Sequence, residues 1–293
     1  MPSSRSLRRI SLLIALACSH AAALESARPP GLGANDTDRF QPGPPEAAAR
    51  YTRTDWVLVW HDEFAEGPAP SPTRWTYEHG IVRNHELQFY TTDRRENARI
   101  ADGRLIITGR REPWEGAAYT SASLTTKGKF TLTYGKIEIC AKIPTGRGTW
   151  PALWLLGDEE KTGWPLCGEI DLMENVGFDP ERVHFTVHSG AFNHVQHTQR
   201  SRAIVVDQPW AEFHRYGLIW SPQRLEFFFD GEKVFEFVND GQGVAHWPFD
   251  SPHYLILNLA LGGAWGGQQG MDDRILPADF SIDYVRIWQQ PSK

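Results

Sequence analysis

Several things are scarce in this chain of 293 residues, and each absence narrows the reading. Cysteine occurs three times. Only Cys140 and Cys167 lie beyond the N-terminal segment, each in a strand-like stretch where small buried thiols are common, and the sequence leaves open whether they lie close enough to bridge. No apolar run is long enough to cross a bilayer. The longest N-terminal one, Ile10–Ala17, is about half of the ~20 residues a spanning helix needs. Basic residues are outnumbered, 30 Lys and Arg against 36 Asp and Glu, for a net charge of −6. That excludes a nucleic-acid partner, which wants a basic stripe. Helical periodicity is also missing: no stretch of twelve or more residues carries it, and only a short helix around 84–90 is compatible with the pattern.

What is present is a globular composition, 41% hydrophobic and 23% charged. The 26 glycines and 20 prolines argue for short elements with frequent reversals. The 12 tryptophans are more than a core of this size needs. Surplus Trp suggests ring stacking on flat ligand faces.

Residues 1–23 begin with Arg5, Arg8 and Arg9, continue through the apolar run and end in Ala21-Ala22-Ala23. That order is the pattern of a secretory signal peptide, so the mature protein is expected outside the cytoplasm, secreted or periplasmic. A lipoprotein signal cut before Cys18 is the competing reading, with the protein then lipid-anchored through that residue. Removal of residues 1–23 takes away three arginines and no acid, which changes the net charge from −6 to −9. Residues 24–50 are rich in Pro, Gly and Ala without an apolar period, and read as a leader or linker.

From residue 51 to 293 one domain is expected, since neither a composition shift nor an internal repeat divides it. Short apolar or alternating runs predict strands at Trp56–Trp60, Arg104–Gly109, Lys136–Ile143, Ala152–Leu156, Glu169–Glu174, His184–His188, Arg215–Ile219, Leu225–Phe229, Tyr254–Leu261 and Ile282–Trp288. Asp102-Gly103 and Asp230-Gly231 are hairpin signals. The expected class is all-β, a sandwich or jelly roll.

The densest chemistry is Cys167-Gly168-Glu169-Ile170-Asp171-Leu172-Met173-Glu174-Asn175. In a plain strand Glu169 and Asp171 share a face and Glu174 points to the other. A one-residue bulge near Leu172–Met173 brings Glu174 back beside them. Two glutamates leaning together suit a retaining glycosidase: Glu169 as nucleophile, Glu174 as acid/base, and Asp171 holding Glu169 and supplying the like charge that keeps Glu174 protonated. The spacing alone leaves a metal site or a solvated acidic strand as alternatives.

Trp150 and Trp154 lie four apart on one strand, Trp164 precedes the acids, and Trp265 sits among glycines in Gly262-Gly263-Ala264-Trp265-Gly266-Gly267. For Trp150, Trp154 and Trp265 stacking on sugar rings is weighed against core packing. Trp56, Trp75, Trp220 and Trp288 sit in alternating strands and read as core. His184, His188, His194 and His197 are close in sequence, which invites a zinc reading; His184 and His188 share a strand face, yet the sequence offers no third ligand of fixed geometry. A substrate contact by His188 is favoured over it.

Trp60-His61-Asp62-Glu63-Phe64, Asn84-His85-Glu86-Leu87-Gln88-Phe89-Tyr90-Thr91, Trp150-Pro151-Ala152-Leu153-Trp154, the stretch from Gly168 to Glu174, and Asp283-Tyr284-Val285-Arg286 together resemble glycoside hydrolase family 16. The nearest branch is the laminarinase-like bacterial endo-β-1,3-glucanases. The resemblance covers about 55–290. It implies a jelly-roll β-sandwich of two antiparallel sheets with a concave substrate cleft, and double displacement through Glu169, Asp171 and Glu174. By the same resemblance, substrate contacts fall on Arg83, Asn84, Trp150, Trp154, Trp164, His188 and Trp265. Catalysis needs no cofactor; a structural calcium is carried over to Glu63, the Gly103 carbonyl and Asp283. The expected partner is a neutral β-glucan, met by a monomer with no transmembrane segment. A galactan of agar or carrageenan type, a mixed-linkage glucan and a transglycosylase are the enzymatic alternatives. A non-catalytic glucan-recognition protein is disfavoured because both glutamates are retained.

Overall fold

The computed structural model describes residues 55–291. The expected signal peptide, the leader and the first residues of the domain lie outside the described residues. Among those described there are seventeen strands. The first six are β1 (Val57–Asp62), β2 (Thr76–Tyr77), β3 (Gln88–Tyr90), β4 (Ala98–Ala101), β5 (Arg104–Trp114) and β6 (Ala117–Ser121). The next six are β7 (Ser123–Thr125), β8 (Gly135–Lys142), β9 (Thr149–Gly157), β10 (Glu169–Glu174), β11 (Arg182–His188) and β12 (Arg200–Val205). The last five are β13 (His214–Ser221), β14 (Arg224–Phe229), β15 (Glu232–Val238), β16 (His253–Leu261) and β17 (Ala278–Gln289).

They make two sheets, as a jelly-roll sandwich requires. The larger runs β15-β14-β13-β8-β17-β5-β6-β3, with β1 on β17 and β4 on β5; the smaller runs β12-β11-β10-β9-β16-β7-β2. The expectation of two antiparallel sheets needs one amendment, because β3 lies parallel to β6. The chain leaves β2 in the smaller sheet and reaches the free edge of β6 already running in its direction. The short helix compatible with residues 84–90 does not form. Asn84 and His85 take positive φ (56° and 54°), outside the right-handed helical region, and Gln88–Tyr90 pairs with Tyr119–Ser121 instead.

The period of two along each strand divides core from cleft. In β9, Leu153 and Leu155 enter the main core, whereas Trp154 and Leu156 belong to a cluster on the opposite face. In β16, Leu255, Leu257 and Leu259 point inward and Tyr254 and Ile256 outward. The larger sheet answers with Ile137 and Ile139 from β8, Leu218 and Trp220 from β13, Phe227 and Phe229 from β14, and Phe280, Ile282, Val285 and Ile287 from β17. Both faces of β9 and β16 are covered, which is why their sequences read as continuous apolar runs.

Asp102-Gly103 and Asp230-Gly231 each place two residues at positive φ (53° and 69°; 51° and 92°), the conformation a tight hairpin demands. Of the tryptophans read as core, Trp75 and Trp220 are buried. Trp56 and Trp288 are only half-buried; Lys136 Nζ stands 4.8 Å over the Trp288 ring. Cys140 alternates with the inward Ile139 and Ala141 and so faces outward from the larger sheet. Cys167 packs in the cleft-side cluster with Trp154. Both thiols are free, and the thickness of the sandwich separates them. A reductant should therefore leave the Tm unchanged; a fall of several degrees would reveal a bridge.

Candidate active site

The register of β10 explains how three acids come to one face. Against β9, Asp171 pairs with Trp154 and Met173 with Leu153, so Leu172 is an extra residue. Against β11, Glu169 faces His188, Asp171 faces Thr186 and Glu174 faces His184. Six residues on β10 thus span five on β11, and the bulge returns Glu174 to the side of Glu169 and Asp171. Ile170, Leu172 and Met173 all enter the core. The acids are left on the outer, cleft-side face of the smaller sheet.

Each glutamate is held by an indole. Trp164 Nε1 donates to Glu169 Oε2 at 2.8 Å, and Trp150 Nε1 donates to Glu174 Oε1 at 3.0 Å. Asp171 is 2% exposed and hydrogen-bonds Glu169. Burial raises all three carboxyl pKa values, because a charge is costly where solvent is excluded. The Trp164 hydrogen bond works against burial at Glu169. Asp171 is pushed well above the usual carboxylate range, next by the charges of Glu169 and Glu174. That direction favours the protonated form of Asp171 beside Glu169. Glu174 rises to about 7, through burial and then the charge of Glu169, with the Trp150 N–H opposing. The like charge at Glu174 comes from Glu169, where the sequence had assigned it to Asp171.

The aromatic residues do more than offer flat faces. Trp154 is 7% exposed, its N–H bonds Asn258 Oδ1 at 2.8 Å, and the Arg83 guanidinium lies 4.9 Å over its ring. The ring is roofed, so the stacking surface expected there belongs to Arg83 and Trp154 together. Arg83 pairs with Glu78, which accepts from Ser123 Oγ at 2.5 Å. The Arg83 Nη1 is buried and has no hydrogen-bond partner among the described residues. Trp265 is half-buried, 5.6 Å from Trp150 and 4.8 Å from the His184 ring. His184 thus supports Trp265, which supports the indole that holds Glu174. The close approach needs glycine: Gly262 has φ of +71°, and a Cβ there would meet Leu87 Cδ1 at 2.6 Å. Asn84 ties the two loops together, its carbonyl accepting from Ala264 N at 2.8 Å.

His188 is buried, with Nε2 3.7 Å from Glu169 Oε1 and 3.6 Å from Asp171 Oδ2. Burial lowers its pKa to about 4, so it is neutral. His194, one of the four histidines close together in sequence, also reaches the site. Its ring lies 4.9 Å from that of Trp164 and 5.2 Å from that of His188. Beneath the cleft, Glu86 accepts from Gln88 Nε2 (2.7 Å) and Tyr90 Oη (3.0 Å), and Asn258 Nδ2 donates to Tyr90 Oη (3.0 Å). This buried network joins Trp154 to the loop of Arg83 and Asn84. Its sequence signal was the motif from Asn84 to Thr91, whose partners are far away in the chain.

A separate hollow of about 1030 Å3, lined by Lys127, Leu166, Val244, Trp247 and Tyr254 among others, contains none of the three acids. The residues carried over for calcium lie apart from the chemistry. Glu63 accepts from Arg286 Nε (2.9 Å) and Nη2 (2.7 Å), and Asp283 Oδ1 from Arg104 Nε (3.3 Å). Both Glu63 carboxylate oxygens are thus engaged by Arg286.

Comparison with known proteins agrees with this geometry. Residues 73–286 match Glycosyl hydrolases family 16. The chain is 49% identical over 245 residues to the beta-glucanase of Rhodothermus marinus, covering 80% of this chain and 85% of that one. The solved laminarinase of Rhodothermus marinus gives a TM-score of 0.79 at 47% identity, covering 81% of this chain and 98% of its own. A variant of SCLam, a non-specific endo-β-1,3(4)-glucanase co-crystallised with 1,3-β-D-cellotriosyl-glucose, also gives 0.79, at 40% identity over 85% and 98%. The chain belongs to glycosyl hydrolase family 16. It is a glycoside hydrolase.

The raised carboxyl pKa values also have a thermodynamic consequence. Glu174 keeps its proton to higher pH when folded, so the folded state binds more protons than the unfolded one between about 4.5 and about 7. Stability contributed by the neutral form is present below that window and is lost as pH rises through it. Glu174→Gln keeps an acceptor for Trp150 and cannot ionise. In chemical denaturation it should exceed the parent by on the order of 1–3 kcal/mol at about pH 8, with no gain at about pH 4.

Proposed function

We propose that the protein is an exported, endo-acting, retaining β-1,3-glucanase working by double displacement. The observation that carries this reading is the bulge at Leu172, which sets Glu169 and Glu174 on one face with Asp171 between them. Glu169 attacks the anomeric carbon and forms a glycosyl-enzyme ester, while Glu174 gives its proton to the leaving glycosidic oxygen. Glu174, now ionised, then takes a proton from the water that opens the ester, and Glu169 leaves as the carboxylate. Asp171 donates a hydrogen bond to Glu169 and steadies it as nucleophile and leaving group. The Trp164 and Trp150 N–H groups fix the two carboxyls, which limits reorganisation during the reaction.

The substrate class rests on the relatives, named for beta-glucan and laminarin, and on the character of the cleft. Trp150, Trp164 and Trp265 offer aromatic surface to pyranose rings, and Arg83, Asn84 and His188 stand beside them. The site is acidic, with Arg83 as its cation, and suits a neutral polymer. The SCLam likeness favours tolerance of mixed β-1,3/1,4 linkages as the second reading. In this reading residues 1–23 are a signal peptide, or a lipoprotein signal ending at Cys18, and residues 51–293 form the catalytic domain.

Product analysis on laminarin, lichenan, agarose, carrageenan and xyloglucan tests the assignment. Short β-1,3 oligosaccharides are expected from laminarin, and preferential cleavage of a galactan would overturn it. Glu174→Ala should lower kcat/KM by roughly 100- to 10,000-fold with the fold intact. Glu169→Ala should be inactive and regain turnover with azide, releasing a glycosyl azide of inverted configuration. Failure of that rescue would remove Glu169 as nucleophile. Calcium at Glu63, Gly103 and Asp283 is a separate proposal: chelation should lower the Tm while hydrolysis at room temperature persists, and an unchanged melting curve would sink it.

A further inference from the structure

We propose that Glu169, Asp171 and His188 also form a site for a divalent transition-metal ion of the zinc class, whose binding closes the cleft to substrate. One imidazole nitrogen and two carboxylate oxygens lie within 4.8 Å of one another there. The gaps from His188 Nε2, 3.7 Å to Glu169 Oε1 and 3.6 Å to Asp171 Oδ2, are too long for hydrogen bonds. They are close to the separation of ligand atoms around a tetrahedral zinc ion, about 3.4 Å for bonds of about 2.1 Å.

Two atoms at this place are buried without a hydrogen-bond partner among the described residues, Asp171 Oδ2 and His188 Nδ1. Buried polar atoms are rarely left so. Asp171 Oδ2 is itself one of the oxygens that face Nε2 across the gap. Binding would release any proton that Asp171 shares with Glu169, and the resulting donor set of one nitrogen and two carboxylates suits zinc or copper(II). It does not suit calcium, which takes six to eight oxygens. Three protein ligands leave the fourth tetrahedral position to water, the arrangement of an open zinc site. The sequence had paired His188 with His184 and found no third ligand. The register replaces His184, which is turned to Trp265, with the two carboxylates on the neighbouring strand.

An ion held there fixes the Glu169 carboxylate and occupies the space in front of it. Only this consequence, loss of hydrolysis, rests on the proposed function; the binding itself does not. Calorimetric titration of the calcium-saturated protein with zinc chloride should therefore show one zinc bound per chain. His188→Asn and Glu169→Gln, each checked for an unchanged circular dichroism spectrum, should weaken that binding by at least the roughly 10- to 100-fold seen when a mere outer-shell partner is lost. His246→Ala, at a histidine paired with Asp240 elsewhere, should bind zinc as the parent does. A laminarin oligosaccharide should compete with the metal. Absence of zinc binding, or binding that survives in both site variants, would overturn the proposal. Zinc binding by a protein that hydrolyses no glucan would leave it standing and remove the proposed function instead.

Discussion

The burial of three carboxyl groups on one face of β10 is the constraint on which the rest of the site depends. It arises from a conflict between two periods. The core asks the strand for alternating apolar residues, and the chemistry asks for acids on the other face. Glu174 follows Glu169 by five positions, an odd number, and in a regular strand that would send Glu174 into the core. Leu172 resolves the conflict by stepping out of register. The sheet keeps Ile170, Leu172 and Met173 in the core and still presents all three acids outward.

Having placed acids where water is scarce, the fold must hold them in defined protonation states. It does so with neighbours that oppose burial unequally. Glu169 has an indole N–H, the Arg83 charge and a hydrogen bond from Asp171 to favour its ionised form. Asp171 is buried with like charges on both sides, which favour its protonated form. Glu174 has one indole N–H set against burial and the charge of Glu169. Three carboxyls within six residues thus receive different pKa values from their surroundings, the condition under which one strand can supply both a nucleophile and an acid. The aromatic residues are part of the same device, since Trp150 and Trp164 serve as hydrogen-bond donors as well as ring surfaces.

Much of the fold was legible because amphipathic strands announce themselves. All ten runs read as strands are strands, and both Asp-Gly turns take positive φ at both residues. Short strands such as β2, β3 and β7 were missed, being too brief to show a period. The segment from Asn84 to Tyr90 carries residues that suit a helix, yet two left-handed residues and pairing with β6 override that preference. In the site, the acids and the bulge were visible as a conflict of spacing. The roofing of Trp154 by Arg83, the support of Trp265 by His184 and the approach of His194 to Trp164 were not visible, because those partners are distant in sequence.

The sequence by itself determined the all-β class, the single acidic strand, the need for a bulge within it and the surplus of tryptophan, since each is a local matter of period and residue type. Only the tertiary structure decided which tryptophans hold a carboxylate and which are merely covered, and that Cys140 and Cys167 stand on opposite outer faces. It also decided that His188, rather than His184, meets Glu169 and Asp171. Those outcomes depend on which strand lies beside which and in what register. Such pairings are made between residues far apart in the chain, and no local pattern of residues records them.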